Sequence, residues 1–299
     1  MKLRKLPKTD MEVSEISFGC MSLGEDHTEN ARLLFKSLEA GINFFDTADL
    51  YQRGENEISV GKALKGMRQK VFIATKVGNQ LREDGSGQWD WNPSKEYILK
   101  AIHKSLKRLQ TDYIDLYQLH GGTIDDPIDE VVEAFETLKK QGYIRHYGIS
   151  SIRPNVIREY VSRSNIVSVM MQYNLLDRRP EESCFQLLED NDIGVIVRGG
   201  IARGLLAGKP AQPYLDYTEE EVQKMVRQVE GYSSEKRSMP QTALNYILNA
   251  SAVTTITVGF RTENQLEAIL GNKTVPNLKE SELKALQTII EPHQYKQHR

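Results

Sequence analysis

Ala40-Gly41-Ile42-Asn43-Phe44-Phe45-Asp46-Thr47-Ala48-Asp49-Leu50-Tyr51 is the stretch whose reading decides the fold. A helical pattern runs from Thr28 to Ala40 and stops at Gly41, a residue that ends helices at little steric cost. Ile42 to Phe45 then reads as a strand. Asp46 and Tyr51 follow directly, so ionisable groups sit where that strand ends. Helix, glycine, short apolar strand and polar exit together make one unit of an alternating α/β chain.

The alternation continues in both directions. Val13 to Met21 reads as a first strand. Glu55 to Leu64 is helical and closed by Gly66, and Val71 to Lys76 is a third strand. Asn92-Pro93-Ser94 starts a helix with Ile98, Ile102, Leu106 and Leu109 on one face. Tyr113 to Leu119 is the fourth strand, Ile128 to Gln141 a helix closed by Gly142, and Tyr143 to Ile149 the fifth strand. Helices over Arg153–Arg163, Glu181–Asp190 and Pro240–Asn249 alternate with strands over Val167–Gln172, Ile193–Val197 and Val253–Val258. Helical stretches over Thr262–Leu270 and Glu280–Ile290 complete the pattern.

Eight such units predict an α/β fold, a single (β/α)8 barrel spanning residues 1–299 as one domain. Residues 1–12 suit a β-hairpin at the barrel bottom. A doubly wound sheet is the rival, but Gly19-Cys20-Met21-Ser22-Leu23-Gly24 lacks the glycine spacing of a dinucleotide turn. Long connections at Val77–Trp91, Gly121–Pro127 and Gly199–Met239 follow strands. The last carries a helical insert around Tyr217 to Val229. All three fall on the C-terminal rim, where loops build binding sites.

Composition narrows the function classes. The chain has 299 residues, is 39% hydrophobic and 27% charged, and carries a formal net charge of -2. That balance gives no reason to expect a nucleic-acid or anionic-membrane partner. No apolar run approaches the roughly 18 residues of a membrane helix, and the basic N-terminus lacks the apolar core of a signal peptide. Cys20 and Cys184 lie far apart without metal-ligand spacing, which predicts reduced thiols in a cytoplasmic protein and no metal.

Asp46, Tyr51, Lys76 and His120 each lie at or just past the end of a strand, so a barrel would gather them on one face. A tyrosine is a reluctant proton donor, but a neighbouring ammonium favours its phenolate and lowers its pKa. Lys76 is placed to be that neighbour, with Asp46 holding it charged. His120 is placed to orient a substrate oxygen or share a proton with Tyr51. Taken singly, a Tyr, Lys or His in a barrel is usually structural or merely exposed, and Asp46-Thr47 could simply cap a turn. Together they suit carbonyl polarisation and protonation, with a bound cofactor to supply the hydride. Trp89 and Trp91 either wall a substrate site or pin their loop to the barrel.

Phe44 to Tyr51, Thr75-Lys76 and Leu119-His120 closely resemble the signature of the aldo-keto reductase superfamily, in a resemblance running from Gly19 to Gln265. Bacterial members and the related potassium-channel β-subunit branch look nearest. The resemblance implies NADPH-dependent reduction of aldehydes and ketones, without metal. It implies Tyr51 as general acid, Lys76 lowering its pKa, Asp46 anchoring Lys76, and His120 orienting the carbonyl. It also implies a nucleotide site of Gly19, Met21, Asp46, Ser150, Gln172, Arg198, Gly199, Ile201, Arg203, Leu205, Gly259, Arg261 and Gln265. Gln172 and Ser150 match nicotinamide partners, Arg203 to Lys209 a pyrophosphate loop, and Gly259, Arg261 and Gln265 a 2′-phosphate segment. Ser151 stands where the family has Asn, and Arg198 where many members stack an aromatic ring. Ala268-Ile269 stands where they have Glu-Asn. Other readings are a nucleotide-sensing module with slow or no turnover, and a barrel enzyme that uses substrate phosphate. The oligomeric state is open.

Overall fold

The computed structural model describes residues 1–271 and 274–299. The chain starts with an antiparallel hairpin, β1 (Leu3–Lys5) and β2 (Glu12–Ser14), with Leu3 opposite Ser14. The first barrel strand is β3 (Ile16–Gly19), followed by α1 (His27–Glu39), β4 (Phe44–Asp46), α2 (Glu55–Leu64) and β5 (Phe72–Val77). A second hairpin, β6 (Asn79–Leu81) and β7 (Trp89–Trp91), leads to α3 (Lys95–Leu109), β8 (Ile114–Leu119), α4 (Ile128–Lys140) and β9 (Ile144–Ser150). Next come α5 (Pro154–Arg163), β10 (Ser168–Gln172), α6 (Cys184–Asp190) and β11 (Gly194–Arg198). The chain closes with α7 (Glu219–Gly231), α8 (Met239–Leu248), β12 (Val253–Val258), α9 (Glu263–Leu270) and α10 (Glu280–Thr288).

Eight parallel strands form a closed barrel in the ring order β3, β4, β5, β8, β9, β10, β11, β12. The ring shuts where Ile256 of β12 lies opposite Ile16 of β3. Apolar side chains fill it on both sides, as a fully enclosed parallel sheet requires. Inside, Phe44, Ala74, Leu116, Met170 and Ile196 pack against Leu6, Met11 and Val13. The hairpin therefore floors the barrel, and Arg4 pins it by donating to the carbonyls of Val253 (2.9 Å) and Leu248 (2.8 Å). Outside, the helices bury their apolar stripes on the strands. On α3 the stripe is Ile98, Ala101, Ile102, Leu106 and Leu109, capped by Ser94, which accepts from the Tyr97 amide at 3.3 Å.

Three expectations are corrected. Val13 to Met21 is not one strand: β2 pairs with β1 and β3 with the barrel, and Cys20–Ser22 is a 3-10 turn. Gly66 does not close α2, which runs into a 3-10 turn over Lys65–Lys70. The long Val77–Trp91 connection is not all loop: Asn79–Leu81 and Trp89–Trp91 pair within it as β6 and β7. Gly41 and Gly142 do follow helix ends, at φ 98° and 80°.

Candidate active site

Strand register sets the site. Asp46 ends β4 opposite Ala74, and Lys76 on β5 lies opposite Gln118 of β8. The Lys76 side chain is buried, 1% exposed, and its ammonium uses all three donors. It donates to Asp46 Oδ2 at 2.6 Å, to the Thr47 carbonyl at 2.7 Å and to the Tyr51 hydroxyl at 3.4 Å. The second Asp46 oxygen accepts from Gln118 Nε2 at 3.3 Å.

Tyr51 opens a tight turn in which Gln52 and Arg53 take left-handed backbone angles, φ 48° and 56°. Side chains hold that turn: Gln52 donates to the Leu23 carbonyl at 2.8 Å, and Asn56 to the Cys20 carbonyl at 2.7 Å. His120, one residue past β8, stands edge-on to Tyr51 with ring centroids 5.8 Å apart. The four residues read from the sequence are thus brought together.

The charges follow from burial. Burial alone would lower the Lys76 pKa, but the charge of Asp46, then Tyr51, outweighs it and the net direction is up. Burial of His120, then the positive charges of Lys76 and Arg198, pushes its pKa down to about 3. The imidazole is therefore neutral at physiological pH, and its buried Nδ1 has no hydrogen-bond partner among the described residues. Behind the Tyr51 turn, burial and then the charge of Glu57 push Asp49 up to about 8. The Asp49 backbone amide meets the Lys76 carbonyl at 3.3 Å.

The other named residues spread along the same rim. Gly19 ends β3, where an added Cβ would lie 3.0 Å from Thr257 Cγ2, and Met21 beyond it is exposed. Ser150 ends β9, and Ser151 accepts from the Arg153 amide at 3.2 Å. Gln172 ends β10 and Arg198 ends β11, with Arg198 Nη1 3.1 Å from Gln172 Oε1. Gly199 follows at φ 71°, then half-buried Ile201 and exposed Arg203, whose guanidinium lies 5.7 Å from the Tyr214 ring centre. The Leu205 side chain is buried in the core. Gly259 packs against Ser22, and Gln265 Oε1 accepts from the Arg261 amide at 2.8 Å. Ala268 is exposed, while Ile269 is buried in the core. Trp91 lies over Gly78 and Gly121 and donates to Asp126 at 2.9 Å, whereas Trp89 is 48% exposed.

Residues 15–291 match the model of the aldo/keto reductase family. The chain belongs to the aldo/keto reductase family. It is 48% identical to the uncharacterized oxidoreductase YqkF of Bacillus subtilis (strain 168), with both chains covered completely. It is 29% identical to the NADH-specific methylglyoxal reductase of Escherichia coli (strain K12), covering 89% of this chain and 91% of that protein. Among solved structures it resembles aldo-keto reductase AKR11C1 from Bacillus halodurans. The holo form gives a TM-score of 0.93 at 51% identity, covering 100% of this chain and 99% of that one. The apo form gives 0.85 at 47% identity, with the same coverage.

As an aldo/keto reductase the protein is of an oxidoreductase class whose members act on small carbonyl compounds. The donor set on its rim fits a nicotinamide nucleotide. Arg203 and Arg261 are exposed guanidinium groups at the exits of β11 and β12, suited to phosphates. Gln172 and Ser150 are neutral groups suited to a carboxamide. Among the described residues no group of three or more His, Cys, Asp or Glu is placed to hold a metal, and no helix is long and apolar enough to cross a membrane.

Sequence reasoning missed Gln118, Asp177 and Tyr214. Gln118 was legible as the one amide in an apolar strand. Asp177 and Tyr214, which accept from Gln172 Nε2 at 2.7 and 3.3 Å, were not, because they reach it from loops that meet only in the folded chain.

Proposed function

We propose that this protein reduces small aldehydes and ketones to alcohols with NADP(H), the whole chain acting as one unit. The observation that carries the reading is the fully buried Lys76 ammonium bridging Asp46 and the Tyr51 hydroxyl. Burying an ammonium is costly, and here it directs positive charge at one phenol. When bound, the reduced nicotinamide would supply the hydride.

The chain's own residues handle the proton. Tyr51 donates its hydroxyl proton to the carbonyl oxygen, and solvent later restores it. Negative charge left on the Tyr51 oxygen faces Lys76 and is stabilised there. Asp46 keeps Lys76 charged and fixed. His120 is neutral, so it contributes an N–H hydrogen bond that orients the carbonyl oxygen. Arg261 and Gln265 would hold a 2′-phosphate, which supports NADP(H) over NAD(H). The backbone agrees more closely with the holo than with the apo form of the Bacillus halodurans relative. The two buried free thiols suit a reducing, cytoplasmic compartment.

The test is Tyr51→Phe, assayed by NADPH oxidation with a panel of small aldehydes and by nucleotide titration. Turnover should fall at least about a thousandfold, on the order of what a positioned general acid contributes, with NADPH binding retained. A mutant turning over at the wild-type rate would sink the mechanism.

A further inference from the structure

The Gln172 amide is gripped from two sides by groups of opposite hydrogen-bonding character. On the buried side stands Asp177, 1% exposed. Its two oxygens take Arg179 as a fork, Nε to Oδ1 at 2.7 Å and Nη2 to Oδ2 at 2.7 Å. Oδ2 also accepts from Gln172 Nε2 at 2.7 Å. The same Nε2 meets the Tyr214 hydroxyl at 3.3 Å. Tyr214 is itself buried and accepts from Asn174 Nδ2 at 3.1 Å, and Asn174 Nδ2 also donates to the Gly199 carbonyl at 2.9 Å. On the exposed side stands Arg198, whose Nη1 donates to Gln172 Oε1 at 3.1 Å.

A carboxylate only accepts and a guanidinium only donates. The orientation of a glutamine amide is normally ambiguous and must be read from its partners. Here both partners dictate the same one. A flipped amide would set its oxygen against the Asp177 oxygens and its NH2 against the Arg198 guanidinium, losing both bonds at once.

We infer that Asp177 and Arg198 are positioning residues that lock Gln172 with its carbonyl oxygen outward, so that the site selects a nucleotide ring bearing a carboxamide NH2. This rests on the reading of Gln172 as a nicotinamide partner. Arg198 occupies one lone pair of Oε1, and the other remains to accept from the ligand's NH2. A ring with an acetyl group in that place has no NH2 to give. Asp177 touches no ligand; it acts through Gln172.

The test compares NADPH with its reduced 3-acetylpyridine analogue by titration calorimetry, which reads binding without turnover. The wild-type protein should favour NADPH by roughly five- to tenfold, the size of one neutral hydrogen bond. Asp177→Asn leaves half-buried Arg179 without its charge partner and is at risk of not folding. The double variant Asp177→Asn with Arg179→Gln removes the whole pair, a change proteins often tolerate. In it the carboxylate hold is gone and Arg198 alone still favours one orientation of the Gln172 amide, so NADPH should weaken by about two- to threefold towards the analogue while the analogue's affinity stays unchanged. Equal weakening of both nucleotides, or an unchanged ratio, overturns the inference, because a merely structural role moves both alike. Gln172→Leu separates the two levels: an unchanged ratio there removes the nicotinamide assignment itself.

Discussion

Two sectors of one rim are built on opposite principles. At the exits of β4, β5 and β8, Asp46 and Lys76 are almost entirely buried, and every donor of the ammonium is used. At the exits of β11 and β12, Arg203 and Arg261 stand exposed. The first sector holds its geometry without a ligand. The second offers charge that a polyanion would organise on arrival. Proton transfer needs sub-ångström placement, so it rests on strand ends and on a turn braced by side chains. Capturing and releasing a nucleotide needs solvated, adjustable groups.

The sharpest way to break the contrast is Lys76→Met. It strands the buried Asp46 carboxylate, so urea unfolding should show a loss of about 3–5 kcal/mol, with turnover abolished. Adding Asp46→Asn should restore most of that stability and none of the turnover. A single mutant as stable as wild type would mean the sector is not held as described.

Titration sharpens it next. His120 binds its proton less readily folded, at about 3, than its ordinary 6.5. Its stabilising share is therefore intact above about pH 6.5 and drains away as pH falls towards 3. Asp49 shifts the other way, from 3.8 to about 8, so its share is intact below about pH 4 and is lost as pH rises through 8. In denaturant midpoints measured against pH, His120→Gln should flatten the loss below about pH 6.5 and Asp49→Asn the loss between about pH 4 and 8.

The exposed sector should respond in affinity instead. Arg261→Ala should lower the preference for NADPH over NADH about tenfold, the scale of one charge-assisted hydrogen bond, with an unchanged melting temperature. Unaltered selectivity would remove Arg261 from the phosphate site. Smallest is Arg32→Ala, which cuts an exposed ion pair with Glu263 at 2.7 Å. A shift in Tm below about 2 °C is expected, since such pairs contribute little.

Legibility in the sequence divides along the same line. The barrel was readable because strands enclosed on both faces, such as Ile73-Ala74 or Val195-Ile196-Val197, leave apolar runs between helical periods. Asp46, Lys76 and His120 were readable because strand ends fix where side chains emerge. The β6–β7 hairpin was hidden because Asn79-Gln80-Leu81 and Trp89-Asp90-Trp91 carry no strong strand pattern. Glu57 looks like any surface helix residue, yet it is fully buried and paired with Arg108 and Thr75. The lock on Gln172 depends on loops whose approach no local pattern encodes.

The seam between β12 and β3 has a consequence for how the molecule comes into being. Ser17 and Thr257 touch hydroxyl to hydroxyl at 3.0 Å across 240 residues of chain. On a ribosome, residues near 17 must wait for nearly everything between to be made before their neighbour exists. Until then two unpaired strand edges stay open, and the hairpin that floors the barrel lacks the carbonyls of Leu248 and Val253 that pin it. The slow step of folding should be this late stitching of the two ends, and the nascent chain is most prone to aggregation just before it.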